Sequence, residues 1–130
     1  MGIEIDVPKS AFVYADSEQW ILIELHPLNP PPGVYDDAIW FFDVNVKRGS
    51  LTSYEAAGRK QVPATSVSLE AAKLSRGNAQ AHILRRTILC HNGDIIAIEA
   101  RVFPHTVRGT SFLQEDLVAA RRIVDSVKEK

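Results

Sequence analysis

The dipeptide Asn92-Gly93 stands between two long runs of alternating apolar residues, Ala79 to Cys90 and Asp94 to Val102. Both residues tolerate the positive φ of a type I′ turn, so the spacing predicts an antiparallel hairpin with a two-residue loop. That loop writes a register. His91 faces Asp94, Leu89 faces Ile96, Thr87 faces Ile98, Arg85 faces Ala100 and Ile83 faces Val102. On the other side Ile88 meets Ala97, Arg86 meets Glu99 and Leu84 meets Arg101. The first set is the more apolar and is assigned to the core, with Arg85 as its single misfit; the second carries the Arg86–Glu99 pair expected of a solvated sheet surface. A guanidinium on a core face must reach an edge, pair with a carboxylate such as Asp43, or line a polar pocket.

The rest of the chain supplies a sheet for this hairpin and helices to cover it. Ala11 to Ala15 and Trp20 to Leu25 are β-rich runs separated by the polar cluster Asp16-Ser17-Glu18. From Ile39 to Val46 the alternation predicts a strand with Trp40, Phe42, Val44 and Val46 on one face and Ile39, Phe41, Asp43 and Asn45 on the other. Thr52 and Glu55 match a capping box opening a short helix from about Ser53 to Gln61, which Pro63 closes. Ser66 to Ser75 alternates again, and Gly77-Asn78 is a two-residue turn candidate before the long hairpin strand. Ser111, with Gln114 three residues on, is placed as the cap of a final helix. Its stripe is Leu113, Leu117, Ala120, Val124 and Val127. Glu115 and Asp116 stand in its first turn and Lys128 and Lys130 at its end, the order of sign that the helix dipole favours. These elements define one α+β domain over residues 1–130: a central antiparallel sheet of about five to seven strands flanked by helices, with the C-terminal helix packed on it.

Composition removes several functions. The 130 residues carry 15 basic and 16 acidic side chains, a net charge of -1, so no overall field draws in nucleic acid or an anionic membrane. The longest uncharged apolar runs fall far short of a membrane span. With no basic and apolar N-terminal leader pattern, and with Cys90 alone, a cytoplasmic address is expected. His26, His82, His91 and His105 lack any companion at ligand spacing, so no metal is expected, and no cofactor-binding or nucleophile motif appears. Asp36-Asp37 reads as a solvated turn, and Arg85-Arg86 and Arg121-Arg122 are too short for a nucleic-acid patch.

Two loops carry the candidate binding residues. His26-Pro27-Leu28-Asn29-Pro30-Pro31-Pro32-Gly33 is a stiff extended segment, and Pro30 and Pro31 beside Tyr35 and Trp40 form the combination of rigid backbone and large aromatics that protein interfaces favour. Strand-spaced aromatics are also ordinary core residues. In the loop after Pro104, His105 and Arg108 are candidates for binding a partner. A rival reading, a small enzyme or ligand carrier with a pocket on the sheet, assigns the site to Asp43, Arg85 and His105. A third is a bacterial immunity or secretion-associated protein.

The order of elements resembles the PsbP family and its relatives, the Ran-release factor and the DcrB-like bacterial proteins. Phe41-Phe42-Asp43-Val44-Asn45-Val46 leading into Thr52-Ser53-Tyr54-Glu55, then Gly93-Asp94-Ile95-Ile96-Ala97-Ile98, then Asp116-Leu117 through Ile123-Val124-Asp125-Ser126-Val127 carry the likeness. The resemblance implies an antiparallel sheet flanked by helices and a non-enzymatic role, docking to a larger protein. It names no partner.

Overall fold

The hairpin forms around Gly93 with one more loop residue than the Asn-Gly signal implies. The Cys90 N–H donates to the Asp94 carbonyl at 2.8 Å and the Gly93 N–H to the Cys90 carbonyl at 3.0 Å, so His91, Asn92 and Gly93 make a three-residue loop. Gly93 closes it at φ +88°, where a β-carbon is strained. Asn92 Oδ1 accepts the Asp94 N–H at 3.0 Å, and Arg48 Nε donates to Asp94 Oδ2 at 3.1 Å, so side chains from beyond the hairpin help to fix its end. The extra residue slips the register by one. Arg85 lies opposite Glu99, Arg86 opposite Ile98 and Ile83 opposite Arg101. Because side chains alternate with period two, the slip keeps Ile96, Ile98, Ala100 and Val102 in the core but exchanges the two faces of β6 against them. Leu84, Arg86 and Ile88 share the face of Ile96, Ile98 and Ala100; Arg85 does not, and the expectation that it breaks that face is overturned.

The computed structural model describes residues 2–17, 19–25, 42–56, 66–74, 77–103, 106–107, 110–111 and 113–130. In chain order the elements are β1 (Ile3–Glu4), β2 (Ala11–Ser17), β3 (Trp20–Leu25), β4 (Phe42–Ser50), α1 (Leu51–Ala56), β5 (Ser66–Leu74), β6 (Gly77–Leu89), β7 (Asp94–Val102), β8 (Thr106–Val107), β9 (Thr110–Ser111), α2 (Leu113–Ser126) and β10 (Lys128–Glu129). Six strands form one antiparallel sheet in the order β2-β3-β4-β7-β6-β5; β1 pairs with β10 and β8 with β9. The fold is α+β, as the patterning predicts, and α2 packs on β4, β6 and β7. No helix among the described residues is long and apolar enough to cross a membrane.

The core lies between the sheet and α2. Ile23, Phe42, Val44, Val46, Leu84, Ile96, Ala100, Val102, Ala120, Val124 and Val127 are fully buried in it. Each fully buried Val, Leu or Ile contributes about 1.5–3 kcal/mol relative to exposure, which holds a six-stranded sheet to a single helix without a disulfide. The face of β4 is as the alternation predicts for Phe42, Val44 and Val46; Ile39, Trp40 and Phe41 lie outside the described residues.

Local signals misplace three boundaries. Helix α1 begins at Leu51, because Ser50 and not Thr52 caps it: the Ser53 N–H donates to Ser50 Oγ at 3.1 Å, and the two hydroxyls meet at 2.8 Å. Gly77 and Asn78 are strand residues and not the expected turn, since Leu74 pairs with Gly77 and Lys73 with Asn78. Ser111 belongs to β9, opposite Thr106, and α2 starts two residues later. Its last turn holds no basic residue, because Lys128 has left the helix for β10. The positive charge at that end comes from the sheet: Arg86 Nη1 donates to the carbonyls of Val124, Asp125 and Val127 at 2.9, 3.2 and 2.8 Å. A guanidinium on the core face is thus satisfied by the carbonyls that a helix end leaves without partners.

Candidate functional site

On the face of the sheet opposite α2, the register lines up Glu24, Asp43, Arg101 and Ile83 in one row and Leu22, Asn45, Glu99 and Arg85 in the next. Asp43 is 1% exposed. Arg101 grips it with both arms of its guanidinium, Nε to Oδ1 at 3.0 Å and Nη2 to Oδ2, and lies 5.7 Å from the centre of the Phe103 ring. Burial pushes the Asp43 carboxyl above its ordinary range; Arg101 opposes that shift, while Glu24 and Glu99 add to it. Hydrogen bonding to Asp43 in turn raises the Arg101 guanidinium. Arg85 Nε pairs with Glu99 Oε2 at 3.2 Å, half-exposed. Trp20 Nε1 donates to Asn45 Oδ1 at 3.1 Å.

Asp43 and Arg85 therefore share a face, yet they do not meet. Strand β7 runs between them and supplies each with its partner, Arg101 to one and Glu99 to the other. Both oxygens of Asp43 are occupied by the bidentate contact, so the group is held as a structural carboxylate and not presented as a base. Arg101 is the residue that sequence reasoning missed, because its pairing with Asp43 is set by how β4 lies against β7, which no local pattern writes. Pro30, Pro31, Tyr35, Trp40, His105 and Arg108 lie outside the described residues.

A second polar cluster closes the hairpin end. Glu129 on β10 accepts the His91 N–H at 3.2 and 3.3 Å, contacts His91 Nδ1, and lies 3.7 Å from Arg48 Nη2. The His91 side chain, its backbone N–H and the Cys90 thiol hold the Glu129 carboxyl down at about 2. Cys90 is buried, and burial followed by the hydrogen bond to Glu129 pushes its thiol up to about 11. At neutral pH it is therefore held as the unreactive thiol. Native protein is expected to resist iodoacetamide at pH 7.5, with one equivalent incorporated once urea unfolds the chain; rapid native alkylation contradicts this geometry. Among the described residues, no three His, Cys, Asp or Glu side chains converge as a metal site.

Two further surface features stand out among the described residues. On the outward side of α2, Gln114, Glu115, Val118, Ala119 and Arg122 line a depression of about 350 Å³ that is wide open to water, too shallow to enclose a ligand. Among the described strands of the sheet β2 is outermost, next to β3, and its consecutive residues Phe12, Val13 and Tyr14 are 53%, 54% and 48% exposed. Phe12 lies opposite Glu24 and Tyr14 opposite Leu22, on the charged face; Val13 lies opposite Ile23, on the face of α2. The β-rich character of this run is plain in the sequence, but its place at the rim of the sheet is not. Comparison of the chain with protein-family models, curated proteins and solved structures returns no match, so its function is read from this geometry.

Proposed function

We propose that this protein is a non-enzymatic docking module of the cytoplasm, and that its docking surface is the β2 edge. The observation that carries this is the run Phe12-Val13-Tyr14: three consecutive large side chains, each about half exposed, on the outermost strand of a six-stranded sheet. An edge strand offers unpaired backbone donors and acceptors to an incoming strand, and exposed aromatics beside it add specificity. Natural proteins ordinarily blunt such an edge with charge, yet Ala11 to Ala15 contains none. The internal pairing of Asp43 with Arg101 and of Arg85 with Glu99 supports a role other than acid–base chemistry. The resemblance in element order to the PsbP, Ran-release-factor and DcrB-like families points toward docking as well.

Site-specific photo-crosslinking in the native host tests the reading. A benzophenone side chain at Val13 is expected to give a discrete protein adduct, and one at Arg121, exposed on α2, is expected to give none. Absence of any adduct from position 13 rejects the edge as the docking surface.

A further inference from the structure

We propose that Asn92 is a latent deamidation site, held closed by a clamp of Arg48 and Asp94, and that its conversion takes the hairpin end irreversibly out of its native form. Asn-Gly is the dipeptide in which this reaction meets least obstruction, because glycine sets no β-carbon beside the attacking nitrogen. The Gly93 nitrogen attacks Cγ of Asn92; a C–N bond forms, the Cγ–Nδ2 bond breaks, and the Gly93 proton leaves with the side-chain nitrogen as ammonia. Water then opens the cyclic imide. Attack at Cγ gives an ordinary aspartyl residue, and attack at the backbone carbonyl gives an isoaspartyl residue whose main chain runs through the side chain. Solvent water is the only co-reactant, and nothing is oxidised or reduced. Asn92 and Gly93 are both exposed, so water reaches them.

The native loop opposes each part of this chemistry. The Gly93 N–H, whose proton must leave, donates to the Cys90 carbonyl at 3.0 Å and closes the loop. Loop and imide therefore compete for one nitrogen, since the imide has no proton there to donate. The amide that must swing onto that nitrogen is tied through both of its polar atoms. Its Oδ1 accepts the Asp94 N–H at 3.0 Å and Arg48 Nη2 at 3.4 Å, and its Nδ2 donates to Asp94 Oδ2 at 3.1 Å. Arg48 Nε donates to the same Asp94 oxygen at 3.1 Å, so the two clamping side chains also fix each other. Hydrogen bonds from Arg48 and then from Asn92 hold the Asp94 carboxyl below its ordinary range, which keeps the clamp charged at neutral pH. Glu129 braces it from β10, 3.7 Å from Arg48 Nη2 and accepting the His91 N–H.

Refolding does not reverse the change. In the aspartyl product an oxygen stands in place of Nδ2, so the donor that meets Asp94 Oδ2 becomes a second carboxylate oxygen facing it. In the isoaspartyl product a backbone carbon is added to a loop whose length decides which face of β6 meets the core. Either product adds negative charge beside Asp94 and Glu129 and weakens the hairpin end. Opening of the clamp is thereby recorded in covalent structure.

Peptide mapping by mass spectrometry at pH 8 and 37 °C reads the conversion at Asn92. In the folded full chain it is expected to run at least about tenfold slower than in urea, because only the locally open fraction reacts. Arg48→Met is expected to speed the folded-state reaction about tenfold while the chain keeps a cooperative unfolding transition. Asp94→Ala removes the other half of the clamp, is expected to do the same, and stands in where Arg48→Met fails to fold. Ile123→Ala opens a cavity in the buried core, lowers global stability, and is expected to leave the rate near that of the wild type. The deamidated fraction, separated by ion exchange, is expected to unfold at a lower urea concentration than its parent. Equal conversion in folded and unfolded chain, folded clamp variants no faster than the wild type, or an Ile123→Ala variant as fast as they are overturns the guarding role. A deamidated fraction with an unchanged urea midpoint overturns the irreversible switch.

Discussion

Replacing Arg86 by methionine lowers the stability of the fold by about 2 kcal/mol, whereas the same replacement at the neighbouring Arg85 leaves it within about 0.5 kcal/mol. The two side chains differ only in which face of β6 they occupy. Arg86 sits on the core face and donates from one nitrogen to three carbonyls at the C-terminal end of α2, so it both satisfies orphaned acceptors and places positive charge at the negative end of the helix dipole. Methionine fills the apolar space but leaves those carbonyls to water that reaches them only in part. For a chain of this length the loss corresponds to a fall in Tm of about 8 °C. Arg85 holds Glu99 in a pair that is more than a third exposed on both sides, where solvent screens most of the attraction. Urea denaturation of the two variants reads the difference directly. The opposite order of sensitivity is what a two-residue Asn92-Gly93 loop produces, so this measurement also tests the register.

That register marks the boundary of what the sequence makes legible. Period-two alternation finds β2, β3, β4, β6 and β7, and the period near 3.6 finds α2, because these patterns are written in consecutive residues. The loop length at Gly93 is decided otherwise. Asn-Gly is compatible with two residues or three, and Arg48, forty-odd positions upstream, joins the Asn92 and Asp94 side chains at the longer loop. The consequence is large because parity is all or nothing: the slip exchanges Arg85 and Arg86 between faces and brings Glu99, in place of Ala100, opposite Arg85. The Asp43–Arg101 pair depends instead on how β4 lies against β7, a contact across 58 positions that no turn encodes. The β2 edge escapes for a related reason. An edge strand and a central strand share one alternation, and only the order of strands in the sheet tells them apart. What remains visible in the sequence is the lack of charge from Ala11 to Ala15. The candidate residues of the Pro-rich loop and of the segment after Pro104 lie outside the described residues, so the site is built from others.

Arg101→Met is expected to cost about 3–5 kcal/mol at pH 7, the largest single effect in this structure, and much less near pH 4. Removing one partner of a buried pair strands the other, and Asp43 is 1% exposed with Glu24 and Glu99 as like-charged neighbours. Methionine retains apolar contact near Phe103 but offers no proton to either carboxylate oxygen. Burial already holds the Asp43 carboxyl above its ordinary value, and losing the guanidinium raises it further. A carboxyl with a raised folded pKa contributes its full stability below the unfolded value, near 3.9, and loses it as the pH rises through the folded value. The penalty of Arg101→Met therefore grows from acid toward neutral pH, and protonation of Asp43 relieves it. Asp43→Leu combined with Arg101→Met removes both charges and is expected to return to within about 1 kcal/mol of the wild type, since replacing a buried pair by apolar groups is often neutral. Denaturation of the single and double variants at pH 4 and pH 7 separates these expectations: a penalty of equal size at both pH values shows that Arg101 acts through packing and not through the charge it neutralises.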